Sequence, residues 1–292
     1  MQSIVSSTKP YFSFYSIIYR GLDFMAKSNI FIALGAVSIG HFVFLIIGNE
    51  FSSRVYIFHF FLFFATLFTY NYHRLVSAPS QIKNYQYWIG SISFFLAVLL
   101  FNYLPEEVKK ASILPATICI LYPMKILGVR LRQVPYLKIF LIAFVWAFSS
   151  VILPYCIWNN YSILDIIQNS TISILFIVVF LYVLAETLPF DIRDKEEDTN
   201  NRMKTLPIKL GDVMSKRICL ILYLSLSAIL ILLLAKNQYI LVVYSGLTSL
   251  IYSSIVLMNL KVNRSNLQYT IGMESALIMP VVFYYLMGSF FH

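Results

Sequence analysis

Apolar runs recur along this chain, each close to the roughly 20 residues that an α-helix needs to cross the hydrocarbon core of a bilayer. Inside lipid every backbone N–H and C=O must be bonded within the protein, which leaves helices or a closed barrel. The runs are continuous and do not alternate with period two, so a barrel is excluded. Spans are predicted near residues 29–48, 54–75, 86–104, 110–126, 138–158, 164–189, 216–235, 239–260 and 269–291. Composition agrees: 12% of residues are charged and 59% hydrophobic, against about 25% charged in soluble domains. The expected fold is all-α, a multi-pass transmembrane helical bundle of nine spans forming a single membrane-embedded domain over 29–292. A segment over 1–28 precedes it, and its residues 11–27 mix aromatics with Arg20, Asp23 and Lys27, which suits a short helix lying in the interface. The first long apolar run starts too late for a cleavable signal and is long enough to span. No soluble domain, low-complexity tail or tandem repeat is evident.

The net charge of +9 is unevenly placed. The N-terminus and the loops after the second, fourth, sixth and eighth spans carry all but four of the 22 Lys and Arg, from Lys9 and Lys27 to Lys261 and Arg264. The other side keeps Arg54, Lys109, Lys110 and Lys236. The positive-inside rule then predicts an integral membrane protein of the cell membrane with a cytosolic N-terminus and His292 outside. Basic charge spread over short membrane loops argues against nucleic acid as a partner. Cys119, Cys156 and Cys219 fall in or at the ends of apolar spans with no ligand spacing, and read as small buried hydrophobes.

The most concentrated charge lies directly after the sixth span, in FDIRDKEEDTNNRMKTLPIKLG over 190–211. At about 100° per residue, Asp191, Asp194 and Asp198 fall within an arc of about 60° on a helix. Three carboxylates on one stripe repel each other unless a cation sits between them. Mg²⁺ is the natural candidate, since it takes oxygen ligands and keeps waters and substrate phosphates in its shell. The competing reading is a solvated loop, which suits Glu196 and Glu197, off the stripe; Lys195 borders it.

The residues that follow, Lys204, Thr205, Leu206, Pro207 and then Leu210–Gly211, make the segment resemble the second aspartate-rich motif and TLPxxLG segment of the UbiA superfamily of intramembrane prenyltransferases. LYPMKILGVRLRQVPYLK over 121–138 resembles that family's basic, proline-containing loop. The resemblance implies nine helices around a central cavity. It implies an allylic polyprenyl diphosphate held by Mg²⁺ between two acidic motifs, after spans two and six, with Asp191, Asp194 and Asp198 as metal-binding and catalytic groups. Ionisation would leave an allylic carbocation that an aromatic or lipid acceptor captures. No residue here selects an acceptor.

One departure stands out. The family's first motif is NDxxDxxxD, and at the end of the second span this chain reads Asn71, Tyr72, His73, Arg74, Leu75, Val76, Ser77, Ala78, Pro79. The asparagine matches, while Tyr72, Leu75 and Pro79 replace the aspartates. Arg74, helped by His73, is the expected substitute, binding diphosphate directly beside Asn71. Lys125, Arg130, Arg132 and Lys204 are expected to add donors. Alternatively Arg74 anchors a helix end in the headgroups. The alternative at the level of function is a catalytically degenerate isoprenoid-lipid-binding protein. A transporter is disfavoured by the odd span count and the lack of paired Gly/Pro-broken helices. Glu186, Glu274, His41 and His59 lie within spans and need partners there. Pro189 is expected to break or kink the sixth helix and open the aspartates to the cavity.

Overall fold

The apolar runs form helices whose ends sit where the sequence places residues that leave helical geometry easily. These ends, and the bundle between them, are seen in a computed structural model that describes residues 14–48, 52–126, 128–159, 166, 168–233, 240–260 and 266–290. Helix α1 covers Phe14–Lys27 and α2 Ile30–Ile47, joined through Asn29 at φ 67°, and α2 stops at Gly48 at φ 78°. Asn and Gly take this left-handed conformation at low cost. Helices α3 (Ser53–Ser77), α4 (Asn84–Phe101) and α5 (Glu106–Leu121) follow. A two-residue antiparallel ladder, β1 (Lys125–Ile126) with β2 (Val129–Arg130), then sets Lys125 opposite Arg130.

The next span starts as α6 (Leu137–Ala147), passes through a π turn at Phe148–Ile152 and ends as α7 (Leu153–Asn159). Leu153 N–H bonds Phe148 O, five residues back. The wider turn lies just before Pro154, whose ring cannot donate and would crowd the carbonyl four residues before it. Helix α8 (Ser170–Arg193) is capped by Asn169, whose side chain accepts from the Thr171 and Ile172 amides. Short α9 (Lys195–Asn200) and α10 (Leu206–Leu210) lead to α11 (Asp212–Leu233) and α12 (Ile240–Asn259). The chain closes with α13 (Asn266–Tyr269), a π turn at Thr270–Glu274, and α14 (Met279–Gly288), bent by 50° at the break.

Among the described residues, seven helices are long and apolar enough to cross a membrane, and the bent pair Leu267–Glu274 with Met279–Gly288 makes an eighth. The fourth expected span, 110–126, corresponds to α5, which has 16 residues and runs from the Arg54 end of α3 to its Tyr72–His73 end. Sixteen residues rise about 24 Å, short of the ~30 Å core. The first turns of α5 also carry Glu106–Lys109 and Glu107–Lys110 ion pairs, at 2.8 and 2.6 Å, which belong in the headgroup layer. Of the charges used for orientation, Lys9, Lys236, Lys261 and Arg264 lie outside the described residues, as does His292.

The core has two larger lobes and a small third cluster of Leu260, Tyr269 and Met273. Phe44, Phe58, Val108, Ala143, Val151 and Val183 build the first, from α2, α3, α5, α6 and α8. Ala185, Leu188, Cys219, Tyr223, Leu250 and Leu257 build the second, from α8, α11 and α12. Cys119 is half-buried, Cys156 and Cys219 are buried, and all three are free thiols. Large apolar side chains such as Trp88, Phe95, Leu224, Leu232 and Met258 face outward. In an integral membrane protein that outer surface meets lipid tails, so leaving it apolar costs nothing.

Close packing depends on small residues. A Cβ on Gly35 of α2 would stand 3.1 Å from Leu277 Cβ, while one on Gly21 of α1 would meet nothing within 4 Å. Gly35→Val is expected to destabilise the protein by about 1–3 kcal/mol through overpacking, and Gly21→Ala, on an open face inside α1, to stabilise it by about 0.5–1 kcal/mol. Thermal unfolding of the detergent-solubilised variants checks both.

Candidate functional site

Helix α8 does not break at Pro189. It runs through that residue to Arg193, and the chain leaves helical geometry only at Asp194, at φ −87° and ψ 6°. Asp198 N–H still donates to Asp194 O at 2.8 Å, so α9 continues α8 after one irregular residue. Asp191 is therefore not opened by a proline break; it is buried, with 2% of its surface exposed, and Asp198 has 1%.

The three aspartates separate into two settings. Asp191 Oδ1 and Asp198 Oδ2 both receive Lys138 Nζ, at 2.8 and 3.1 Å. Asp194 instead forms a bidentate pair with Arg193, Nε to Oδ1 at 2.6 Å and Nη2 to Oδ2 at 3.0 Å. The Arg193 guanidinium also lies over the Phe190 ring, 5.0 Å from its centroid. The structure thus brings Asp191 and Asp198 together on one ammonium and pairs Asp194 with Arg193, while Asp194 remains an electrostatic neighbour of Asp191. Lys138, which sequence reasoning counted only as one more loop charge, is the centre of the cluster. Its one legible signal was its place, in the first turn of a span that follows a basic loop.

Local structure holds Lys138 there. Tyr136 takes a left-handed conformation at φ 63°, and its N–H donates to Lys204 O at 2.9 Å, tying the entry of α6 to the segment just after the acidic motif. Lys209 Nζ sits 5.3 Å from the Tyr136 ring centroid. Tyr122, buried after α5, has Lys138, Arg132, Asp191 and Asp198 as its electrostatic neighbours. Arg132 Nη1 donates to Ser77 Oγ at 3.1 Å, joining this loop to the end of α3.

The positions of the degenerate first motif are occupied structurally. Asn71 Nδ2 donates to Leu67 O (2.8 Å) and Ser28 O (3.2 Å), leaving a buried Oδ1 without a partner among the described residues. Tyr72 Oη donates to Ile120 O at 3.2 Å, and His73 Nε2 to Cys119 O at 2.8 Å, with the imidazole stacked on Tyr122. Arg74 donates to Lys27 O at 2.7 Å and Asn29 Oδ1 at 3.4 Å, pinning the α1–α2 turn. Its electrostatic neighbours include Arg193 and Glu274. Lys125 and Lys204 are exposed, and Arg130 Nε is a buried donor with no partner among the described residues.

The intramembrane carboxylates separate as well. Glu274 ends the first half of the broken span, between Arg193 and Arg74, with Oε2 unpartnered. Glu186 faces Tyr223 and Ser253 on the other side of α8, without a well-formed hydrogen bond to either. His41 Nε2 lies 2.8 Å from Tyr285 Oη, and the His59 ring lies tilted beside it with centroids 5.2 Å apart.

A Mg²⁺ ion needs near-octahedral oxygen ligands at about 2.0–2.1 Å. Here the space between Asp191 and Asp198 holds an ammonium, Asp194 is committed to Arg193, and no group of three or more His, Cys, Asp or Glu side chains is placed to hold a metal among the described residues. As arranged, these residues do not fit a divalent ion. Removing the ammonium would leave two buried carboxylates facing each other without a counter-charge. Lys138→Met is expected to cost about 3–5 kcal/mol, as for other broken buried pairs. Lys138→Arg should cost less, and Lys125→Ala, at an exposed site, within about 0.5 kcal/mol. Unfolding midpoints in metal-free buffer check the order.

Solved membrane proteins share this architecture. The chain resembles the apo structure of a UbiA homologue from Aeropyrum pernix K1, with a TM-score of 0.61 and 11% identity over 89% of this chain and 96% of that one. It also resembles a UbiA homologue from Archaeoglobus fulgidus bound to GPP and Mg²⁺, with a TM-score of 0.60 and 12% identity over 95% and 99%. A structure concerned with digeranylgeranylglyceryl phosphate synthase in membranes gives a TM-score of 0.53 and 16% identity over 90% and 94%. At these identities the likeness is one of fold. No curated protein sequence matches the chain. The model of the UbiA prenyltransferase family, however, matches residues 83–278. That stretch is more than half of the 292 residues, and it contains Lys138, Asp191 and Asp198, so the chain belongs to the UbiA prenyltransferase family.

Proposed function

We propose that this protein receives an allylic prenyl diphosphate at the cytosolic end of the bundle and transfers its prenyl group to a hydrophobic aromatic or lipid acceptor within the membrane. The observation that carries the reading is the meeting, at one end of a bundle of this family, of cations from four separate segments: Arg74 of α3, Arg132 of the loop after α5, Lys138 of α6 and Arg193 of α8. Arg130 adds a buried, unpartnered donor, and Lys125 and Lys204 add exposed charge. Charge-assisted hydrogen bonds from fixed guanidiniums suit a diphosphate, whose tetrahedral phosphates present several acceptor oxygens that a planar fork meets two at a time. The same end carries most of the loop basic charge, which assigns it to the cytosol by the positive-inside rule.

In this reading the allylic C–O bond breaks with both electrons leaving on the diphosphate oxygen. Cations already in place stabilise the charge that develops there, with no reorganisation at the moment of reaction. The carbocation is captured by the acceptor, which then loses a proton. Asp191 and Asp198 act by orienting Lys138, and Asp194 by orienting Arg193. In the Archaeoglobus fulgidus relative Mg²⁺ accompanies GPP; here a divalent ion reaches Asp191 and Asp198 only by displacing Lys138.

A second reading, an isoprenoid-lipid-binding protein without turnover, is favoured by one observation. Tyr72, His73 and Arg74 spend their polar groups on backbone carbonyls of α1 and α5, so the first motif serves packing. Consumption of substrate separates the two. Purified protein given geranylgeranyl diphosphate and a mixture of acceptors is expected to release inorganic diphosphate. Arg132→Ala is expected to weaken diphosphate binding by about ten- to a hundredfold, the worth of one charge-assisted hydrogen bond. Arg54→Ala, at the opposite end, should leave binding unchanged. Binding without release, with every acceptor, would select the second reading.

A further inference from the structure

We propose that the Lys138 ammonium is the resident cation of the acidic motif, holding the place between Asp191 and Asp198 that a divalent ion would need, so that this chain engages diphosphate without a metal there. The geometry is that of a metal site with the metal replaced. One cationic centre stands within 3.1 Å of an oxygen from each of two carboxylates that start seven residues apart. Asp191, Asp198 and Lys138 expose 3%, 1% and 13% of their side chains, so solvent ions do not compete freely for them. The lysine is not a chance surface contact. Its backbone is fixed by the left-handed Tyr136, whose amide bonds Lys204 O on the segment following the motif.

Charge balance points the same way. Two carboxylates and one ammonium leave a single negative charge, and Arg132 lies beside the same Tyr122 that neighbours all three. The cluster is thereby close to neutral without any added ion. A metal entering would have to displace the ammonium from both carboxylates, and the like charge of Arg132 beside the same Tyr122 opposes its movement to that side. It would gain only two carboxylates, since Asp194 is committed to Arg193 and Tyr72, Leu75 and Pro79 offer no acid from α3. Lys138 is in this sense a positioning and charge-setting residue, and its removal should create a metal site instead of destroying one.

The diphosphate part of this inference rests on the function proposed above; the metal part does not. Both are read on the full-length protein. In a Mn²⁺ titration followed by electron paramagnetic resonance, the wild type is expected to show no stoichiometric site. Lys138→Met should gain one, at least about tenfold tighter than any wild-type binding, and Lys138→Arg should stay like the wild type. The double variant Lys138→Met with Asp198→Asn should lose the gained site. Binding of geranylgeranyl diphosphate should be insensitive to EDTA in the wild type and should become Mg²⁺-dependent in Lys138→Met. A stoichiometric Mn²⁺ site in the wild type that Asp191→Asn removes would overturn the proposal, and this arm needs no Lys138 variant to fold. Wild-type diphosphate binding that requires Mg²⁺ would overturn it equally. If no protein binds the prenyl diphosphate under any condition, the proposed function fails, while the Mn²⁺ titration still decides the role of Lys138.

Discussion

A charge taken out of water must meet its opposite, and at the acidic end of this bundle that requirement decides how the helices join. Lys138 opens α6; Asp191 closes α8; Asp198 lies beyond the irregular turn, in α9. One ammonium therefore ties three elements at the membrane surface, where apolar packing alone gives little directional information. Around it the polar groups that remain are spent on neighbouring backbone: Arg74 on Lys27 O, His73 on Cys119 O, Tyr136 N–H on Lys204 O. These contacts bring the ends of α1, α3, α5 and α8 to one side of the bundle, which agrees with the alternation of basic and neutral loops along the chain.

That arrangement bears directly on chemistry. Where the resemblance implies two acidic motifs, this chain has one, and Lys138 pairs with two of its three aspartates. The missing carboxylates of the first motif and the lysine that meets the second act on the electrostatics in the same direction: each lowers the negative charge that a divalent ion would need. Guanidiniums at Arg132 and Arg193 and the donor of Arg130 remain, and none of them requires a metal to face an anion. Binding energy for a diphosphate can thus come from fixed cations held by neighbouring carboxylates, a preorganised field that stays the same before and after ionisation.

The membrane fold was largely legible because its cause is local. Twenty apolar residues in lipid have one economical conformation, whatever surrounds them. The least span-like of the predicted spans is α5, which has 16 residues and four charges among its first five, although its ends lie beside the two ends of α3. The expected break at Pro189 was misplaced. A proline removes one backbone bond, which packing against α6 and α11 tolerates, whereas Asp194 leaves the helix to meet Arg193. The aspartate spacing did contain the pairing that forms: residues seven apart on a helix differ by only about 20° in direction, and those three apart by about 60°.

By itself, then, the sequence determined the all-helical, multi-pass membrane class, the family to which the acidic and TLPxxLG segments belong, and the loops in which basic charge collects. These follow from periodicity, composition and short motifs, all of which are read within one stretch of chain. Only the tertiary structure decided which cation the acidic motif holds. Lys138 and Asp191 are separated by most of two spans, and nothing in either segment specifies the other. Their meeting is set by the packing of α6 on α8 and by the Tyr136–Lys204 bond, and a long-range ion pair of this kind exists only once those elements are in place.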